Sequence, residues 1–295
     1  MTKSAANPIR TGKPAWLRRK LPSGPAYEQI REMIDKGQLH TVCQEAGCPN
    51  QFECFSAHTA TFLILGATCT RDCRFCNIAG GRPGPVDADE PRRVAEAAAR
   101  MGLRYVVVTS VTRDDLQDGG AGHFAATIEA LRENIPGVRV EVLIPDLQGD
   151  LSALRTVLAA RPDVLNHNME TVRRLYADVR PQADYDRSLE LLARVKEIGN
   201  AIPAKSGIML GLGETEEEVR QVITDIHNTG CRLLTIGQYL QPTPKHLPVV
   251  DFIEPEAFDQ WRRFALRVGF DKVAAGPFVR SSYHAGNMFA GTVTS

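Results

Sequence analysis

The stretch TATFLILGATCTRDCRFC, residues 59–76, decides the fold class of this chain. Its first part, Thr59–Leu65, is a short apolar run bounded by Gly66, which predicts a buried strand. Three cysteines follow directly in a C-x3-C-x2-C spacing: Cys69, Cys73 and Cys76. Parallel α/β barrels place their chemistry in loops at the carboxyl ends of strands. The stretch therefore predicts a parallel α/β enzyme with a thiol-rich site at the strand ends.

The rest of the chain repeats this strand pattern with helices in between. Further strands are predicted at Arg104–Thr109, Val138–Ile144, Val164–Asn168, Ala204–Leu210 and Leu233–Leu240. Helices are predicted at Pro91–Met101, His123–Asn134, Leu151–Ala160, Tyr185–Ile198 and Glu214–Thr229. Such alternation gives a parallel sheet, and six units fall short of the eight in a closed barrel. We expect an α/β fold, a partial (β/α)6 TIM-like barrel over residues 56–241, with an N-terminal extension (1–55) and a C-terminal extension (242–295).

Composition excludes several classes of function. The chain has 295 residues, and its 35 basic residues balance its 35 acidic ones, so nothing suggests a nucleic-acid or membrane-surface partner. The start, Met1–Lys20, carries no apolar core of a secretory signal. The apolar runs of the whole chain are too short to span a bilayer. We expect a cytoplasmic enzyme that acts as a monomer.

The cysteines point to metal or redox chemistry. Six of the seven lie between Cys43 and Cys76, while Cys231 stands alone and is predicted to be buried. An odd count without an export signal argues against a disulfide framework. Three thiolates at C-x3-C-x2-C spacing suit a [4Fe–4S] cluster, which normally takes four, so one iron would stay open to a ligand. A structural zinc site is the alternative, and it would need a fourth Cys or His at recognisable spacing.

Two further motifs carry a resemblance to a known family. CQEAGCPNQFEC, residues 43–54, has a C-x4-C-x5-C spacing, and RSSY occupies residues 280–283. With the 59–76 stretch they resemble the lipoyl synthases of the radical S-adenosylmethionine (SAM) superfamily. TSVTRDD (109–115), NHNMET (166–171) and GIMLGLGET (207–215) are also similar to that family. The resemblance covers roughly Val42–Ala285.

The resemblance implies two [4Fe–4S] clusters and SAM as cofactors. The first cluster would cleave SAM by one-electron reduction, and its ligands would be Cys69, Cys73 and Cys76. The auxiliary cluster would donate sulfur, and its ligands would be Cys43, Cys48, Cys54 and Ser282. Ser281 is the alternative serine ligand. Without the resemblance, both serines would be assigned to a hydrogen-bonded turn.

The implied reaction is a sulfur transfer to a protein-bound substrate. Two sulfur atoms would be inserted at C6 and C8 of an octanoyl chain, linked to a lysine of a carrier protein, to form the lipoyl cofactor. The implied partners are octanoylated lipoyl carrier domains, namely E2 subunits and the glycine cleavage H protein. Ferredoxin or flavodoxin would supply electrons. Nucleic acid and membrane partners are not expected.

Four residues are weaker candidates for SAM contacts. Phe75 would pack against adenine, or serve as a core aromatic. Asn168 and Glu170 would bind the amino group or ribose, or form a plain loop network. Arg187 would hold the carboxylate by a charge-assisted pair, or lie solvated on the surface.

Other functions stay open at the level of sequence. One is a different radical SAM enzyme, such as a methylthiotransferase or a biotin synthase-like catalyst. Methylthiotransferases usually carry an RNA-binding module, for which this chain has neither the length nor a basic patch. Another is a non-catalytic cluster carrier or a zinc-stabilised binding module, although a carrier needs no barrel.

Overall fold

The structure is a computed structural model that describes residues 13–18, 28, 31–34, 37, 39–46, 48, 50, 61–199, 201–283 and 285–290. Its strands are β1 His40–Thr41, β2 Thr61–Ile64, β3 Thr68–Cys69, β4 Ala79–Gly80, β5 Tyr105–Ser110, β6 Arg139–Leu143, β7 Val164–Asn166, β8 Ala204–Leu210, β9 Leu233–Gln238 and β10 Lys272–Gly276. Its helices are α1 Val42–Glu45, α2 Glu90–Arg100, α3 Ala121–Asn134, α4 Leu151–Ala159, α5 Tyr176–Val179, α6 Tyr185–Ile198, α7 Glu216–Asn228, α8 Pro255–Val268 and α9 Ala285–Ala290.

The main sheet is parallel apart from one edge strand. Its order is β1-β2-β5-β6-β7-β8-β9-β10, and only β1 runs antiparallel to its neighbour. All four residues of β2 and all six of β9 are buried, as expected where helices cover a parallel sheet. In the described residues no ladder joins β1 to β10, so the barrel is open. This agrees with the predicted partial barrel.

The sheet extends further than the sequence predicted. The chain after Gln241 was expected to lie outside the repeat, yet α8 and β10 add a seventh parallel strand beside β9. β10 reads KVAAG and is only half-buried, so its apolar signal is weak. Edge strands lack the continuous apolar runs that mark central strands. The C-terminal extension therefore contributes to the barrel.

The other boundaries follow local chemistry. The helix predicted from Glu214 begins at Glu216, because Thr215 caps it and its Oγ1 accepts a hydrogen bond from Glu218 N at 3.3 Å. The first predicted strand begins with Thr59 and Ala60, which lie outside the described residues. No helix among the described residues is both long enough and apolar enough to cross a membrane.

Candidate active site

The cysteine loop of residues 69–76 leaves the sheet through a strained turn. β2 is followed by Leu65 and Gly66, with φ values of 68° and 89°. A branched residue such as Leu65 adopts this left-handed conformation only where its surroundings hold it. The short parallel pair β3–β4 closes the base of the loop, because Cys69 pairs with Gly80. The point at which the loop leaves the sheet is therefore fixed.

Side chains from neighbouring β/α units hold Leu65 in place. Glu90 Oε2 accepts a hydrogen bond from Leu65 N at 2.7 Å and lies 2.7 Å from His123 Nε2. Arg113 Nη1 donates to the Leu65 carbonyl oxygen at 3.4 Å. Both backbone polar groups of Leu65 are therefore satisfied. His123 supports this turn indirectly, a role that its sequence context did not reveal.

The thiols of the loop lie close enough to influence one another. Burial raises the pKa of Cys73 to about 11; the positive charge of Arg180 opposes this rise, and Cys69 adds to it. Burial also raises the pKa of Cys76 to about 12. Iron binding therefore has to displace thiol protons. Phe75 is partly buried against the hydrophobic core.

Arg71, between the first two cysteines of the loop, is clamped by two carboxylates. Its guanidinium makes hydrogen bonds of 2.6 and 2.9 Å to Asp114, and of 3.0 and 2.6 Å to Asp146. The side chains of Arg71 and Asp146 are 4% and 0% exposed. Two-pronged pairs of this kind fix orientation as well as adding energy. Arg71 therefore orders the loop from within, and spacing alone did not reveal this role.

A segment of the C-terminal extension packs on the same loop. His246 Nε2 lies 3.0 Å from the Cys76 carbonyl oxygen, and His246 Nδ1 lies 2.9 Å from Thr243 Oγ1. A carbonyl oxygen can only accept, so Nε2 carries the proton and Nδ1 accepts from the hydroxyl. Leu247 N also donates to the Arg74 carbonyl oxygen at 3.2 Å. Sequence reasoning missed His246, whose only signal is its place in a proline-rich run.

Asn168 and Glu170 lie together beside the RSSY motif. Asn168 Nδ2 donates to Glu170 Oε1 at 3.0 Å and to Ser281 Oγ at 2.5 Å. Asn168 Oδ1 is buried without a hydrogen-bond partner among the described residues. Glu170 has a φ of 67°, and burial raises its pKa. Backbone strain next to an unsatisfied amide oxygen is more typical of a ligand site than of a plain loop.

Two arginines flank this cluster in different ways. Arg187, predicted from sequence to hold a carboxylate, already pairs with Asp146 at 2.8 Å. Arg180 is 8% exposed, and its Nη1 donates to the Asn168 carbonyl oxygen at 2.9 Å. Its Nε is buried without a hydrogen-bond partner, and it forms no ion pair within the described part of the chain. Of these two arginines, Arg180 is therefore the one with an unused donor among the described contacts, and sequence reasoning did not single it out.

The first cysteine group lies partly within the described residues, which include Cys43 and Cys48 but not Cys54. Cys43 is buried in α1, and its carbonyl oxygen accepts from Cys48 N at 3.1 Å. Asn50 Nδ2 donates to the Phe278 carbonyl oxygen at 2.6 Å. Phe278 stands two residues before RSSY. The fold therefore brings the first cysteine group close to the serine motif.

The RSSY turn lies against β2. Thr61 Oγ1 donates to Ser282 Oγ at 2.8 Å, and Ala285 N donates to the Ser282 carbonyl oxygen at 3.3 Å. The hydroxyl of Ser281 instead faces Asn168. The two serines thus have different neighbours, one at the cluster of Asn168 and Glu170 and the other at the edge of β2.

The donor set suits iron–sulfur clusters better than a single metal ion. Within the described ranges, no three His, Cys, Asp or Glu side chains are arranged to hold one metal ion, as zinc would require. A [4Fe–4S] cluster offers each thiolate its own iron, so separated thiols in one loop fit it. SAM fits the unpartnered atoms nearby, because Asn168 Oδ1 can accept from an ammonium and Arg180 Nε can donate to a carboxylate.

Comparisons with known proteins agree on one family. A model of the radical SAM superfamily matches residues 63–226, and one of the N-terminal domain of lipoyl synthase matches residues 3–48. The chain is 56% identical to the lipoyl synthase of Caldanaerobacter subterraneus subsp. tengcongensis, over 92% of this chain and 95% of that protein. It is 53% identical to the lipoyl synthase of Thermus thermophilus, over 98% and 90%.

Solved structures share the fold. The FeFe-hydrogenase maturase HydG from Carboxydothermus hydrogenoformans superposes with a TM-score of 0.59 at 14% identity, covering 90% of this chain and 68% of that one. Methylornithine synthase (PylB) gives a TM-score of 0.54 at 15% identity, covering 72% and 70%. At these identities the likeness concerns architecture alone, and it confirms the predicted partial barrel.

Proposed function

The chain belongs to the lipoyl synthase family of the radical SAM superfamily, and we propose how its own residues divide that family's chemistry between two sites. Identity of more than half over nearly the whole chain confirms the family predicted from the two cysteine groups and RSSY. The protein is an enzyme that uses SAM and two [4Fe–4S] clusters. It inserts two sulfur atoms, at C6 and C8, into an octanoyl chain carried on a lysine of a lipoyl carrier protein.

The first site is the loop at the carboxyl edge of the sheet. We propose that its three thiolates bind one cluster: Cys69, Cys73 and Cys76. When bound, that cluster and SAM supply the one-electron chemistry needed to remove hydrogen from an unactivated methylene, which no side chain can do. The protein's own part is positioning. Arg71 orders the loop between Asp114 and Asp146, and His246 holds the last cysteine from outside.

The residues beside this loop would bind SAM. We propose that Asn168 and Glu170 receive the amino group or ribose, because both follow the end of β7 and Asn168 Oδ1 has no hydrogen-bond partner among the described residues. Phe75 would line the adenine side. Arg187 remains a candidate for the carboxylate, while Arg180 has the donors to do so without giving up an ion pair.

The second site would hold the sulfur-donating cluster. Its proposed ligands are Cys43, Cys48, Cys54 and Ser282. The observation that carries this is the hydrogen bond from Asn50 to Phe278, which joins the first cysteine group to the RSSY segment. The hydroxyl of Thr61 donates to Ser282 Oγ. A donated hydrogen bond stabilises the anionic form that a metal ligand requires.

The identity of the serine ligand is part of this proposal. Ser281 already faces Asn168, on the side where SAM would bind, so we assign the auxiliary cluster to Ser282. With one serine alkoxide and three thiolates as ligands, one iron of that cluster would be bound by oxygen and the other three by sulfur. This asymmetry suits a cluster that is consumed as the sulfur source.

The partners follow from the substrate. Lipoyl carrier proteins are the acceptors, and we propose E2 subunits and the glycine cleavage H protein in particular. Ferredoxin or flavodoxin is the proposed electron donor. We propose that the enzyme is a cytoplasmic monomer.

The test counts iron, acid-labile sulfide and zinc per chain after anaerobic reconstitution. Two clusters give about eight irons and eight sulfides. Cys43→Ala is expected to lower both to about four and to abolish sulfur insertion into an octanoylated carrier peptide, followed by mass spectrometry. Cys231→Ala is the matched control, because Cys231 is a buried core thiol whose Sγ lies 3.2 Å from the Ala204 carbonyl oxygen. Intact insertion by Cys43→Ala would rule out the second site.

A further inference from the structure

Glu141, on β6, is a buried carboxylate with no part in the proposed chemistry. It forms an ion pair with Lys205 Nζ at 2.8 Å, and both side chains are 1% exposed. Asn166 Nδ2 donates to the same carboxylate at 3.3 Å, and Tyr105 OH donates to it at 2.7 Å. Buried ion pairs add little net stability compared with apolar residues of similar size. This network therefore invites another explanation.

One end of the network supports the helix that follows RSSY. Gly286 of α9 lies against Tyr105, because a Cβ added there would sit 3.4 Å from both Cβ and Cγ of Tyr105. α9 begins just behind Ser282, whose carbonyl oxygen accepts from Ala285 N. Ser282 Oγ accepts a hydrogen bond from Thr61 Oγ1, and Thr61 lies on β2, the strand that pairs with β5. Tyr105 thus lies beneath the short segment that carries Ser282.

The other end of the network leads to the same turn. Asn166 precedes Asn168 by two residues, and Asn168 Nδ2 donates to Ser281 Oγ at 2.5 Å. Glu141 therefore reaches the RSSY turn by two routes, through Tyr105 and α9 and through the end of β7. The buried carboxylate is therefore connected to the segments that contact both serines.

We propose that Tyr105, held by Glu141, is a positioning residue for Ser282 and so for retention of the auxiliary cluster. The inference rests on the proposed function, since it takes Ser282 as a ligand. Functional groups have to be held within about 0.5 Å of their working geometry. Removing the Tyr105 hydroxyl frees its ring from Glu141, and α9 then loses the fixed surface on which it packs.

Tyr185 provides a matched control. Its hydroxyl donates to Asp225 Oδ2 at 2.7 Å, as the Tyr105 hydroxyl does to Glu141. Burial raises the pKa of both phenols, so both act as donors. Tyr185 lies on α6 rather than beneath α9. Tyr105→Phe and Tyr185→Phe therefore remove equivalent hydrogen bonds, one beside α9 and the other on α6.

The experiment separates the two clusters by mutation of the full-length protein. One parent keeps only the auxiliary site through three cysteine-to-alanine changes at Cys69, Cys73 and Cys76. The other keeps only the SAM site through the same changes at Cys43, Cys48 and Cys54. Tyr105→Phe and Tyr185→Phe are introduced into each parent. Iron and sulfide per chain, and the rate of iron loss to a chelator, are measured after anaerobic reconstitution.

We expect Tyr105→Phe to speed iron loss from the auxiliary-only parent about tenfold, the lower end of the loss in metal affinity that follows removal of residues supporting a ligand. It should leave the SAM-only parent unchanged, and Tyr185→Phe should change neither. Equal effects of Tyr105→Phe in both parents, or none in either, would overturn the inference while leaving the proposed function standing. An auxiliary-only parent that holds no iron or sulfide would overturn the second site itself, and this inference with it.

Discussion

Replacing Asp146 by asparagine removes the buried charge that holds two arginines beside the cysteine loop. The oxygens of Asp146 lie 2.6 Å from Arg71 Nη2 and 2.8 Å from Arg187 Nη2, and its side chain is fully buried. Removing one partner of a buried ion pair costs about 3–5 kcal/mol. Because asparagine still accepts one hydrogen bond and Asp114 still pairs with Arg71, we expect the free energy of unfolding to fall by about 3 kcal/mol.

The control for this variant is Asp186→Asn. Asp186 makes the same kind of two-pronged pair with Arg173, both contacts being 2.7 Å, but the two side chains are 72% and 57% exposed. Exposed pairs contribute about 0–1 kcal/mol. Anaerobic urea unfolding, followed by far-UV circular dichroism, compares the two variants. Equal losses of stability would refute the argument that burial gives the Arg71 clamp its strength.

Three shorter predictions concern the same interior. Lys205→Met leaves the Glu141 carboxylate uncompensated and should cost about 3–5 kcal/mol in urea unfolding, most of which Lys205→Met with Glu141→Leu should recover; equal losses would contradict this. Burial alone would raise the pKa of Asp146, but the hydrogen bonds and positive charge of Arg71 hold that pKa well below its usual value. The contribution of Asp146 to stability is therefore complete above the ordinary aspartate pKa of about 3.9 and is lost as pH falls towards the lowered value. The deficit of Asp146→Asn in urea midpoint should therefore stay constant from pH 7 to about pH 4 and be smaller at about pH 3. Arg180→Gln should weaken SAM binding about tenfold and binding of decarboxylated SAM less, because Arg180 also holds the Asn168 carbonyl oxygen; Arg187→Gln should have a smaller effect on SAM, and equal weakening of both ligands by Arg180→Gln would refute this assignment.

The fold could be predicted where the sequence pattern of a single segment indicates its secondary structure. The central strand β5 contains a run of apolar residues, and like β8 it is followed by a helix that the sequence predicted. Thr215 and its acidic first turn marked α7 in this way. β10 was missed because an edge strand is half-exposed and needs no such run. The sequence therefore predicted the central β/α units but not the edge strand β10.

The candidate site was predictable only where function requires particular atoms at fixed spacing. Thiols at C-x3-C-x2-C spacing are chemically distinctive, so Cys69, Cys73 and Cys76 stood out. Arg71 and His246 did not, because their roles depend on contacts with residues far away in sequence: Arg71 with Asp146, His246 with Cys76. An arginine or histidine in a loop is ordinary until the fold supplies its partner.

Asn168 links the two proposed sites more directly than any motif. Its amide donates to Glu170 on the SAM side and to Ser281 in the RSSY turn. Removal of hydrogen leaves a reactive carbon radical, which has to form its bond to sulfur before it reacts with anything else. The site of hydrogen abstraction and the site of sulfur donation therefore have to be adjacent. Binding SAM at Asn168 would place it one residue away from the proposed serine ligand. If Ser282 is the cluster ligand, the contact between Asn168 and Ser281 would set the auxiliary cluster against the residues proposed to position SAM.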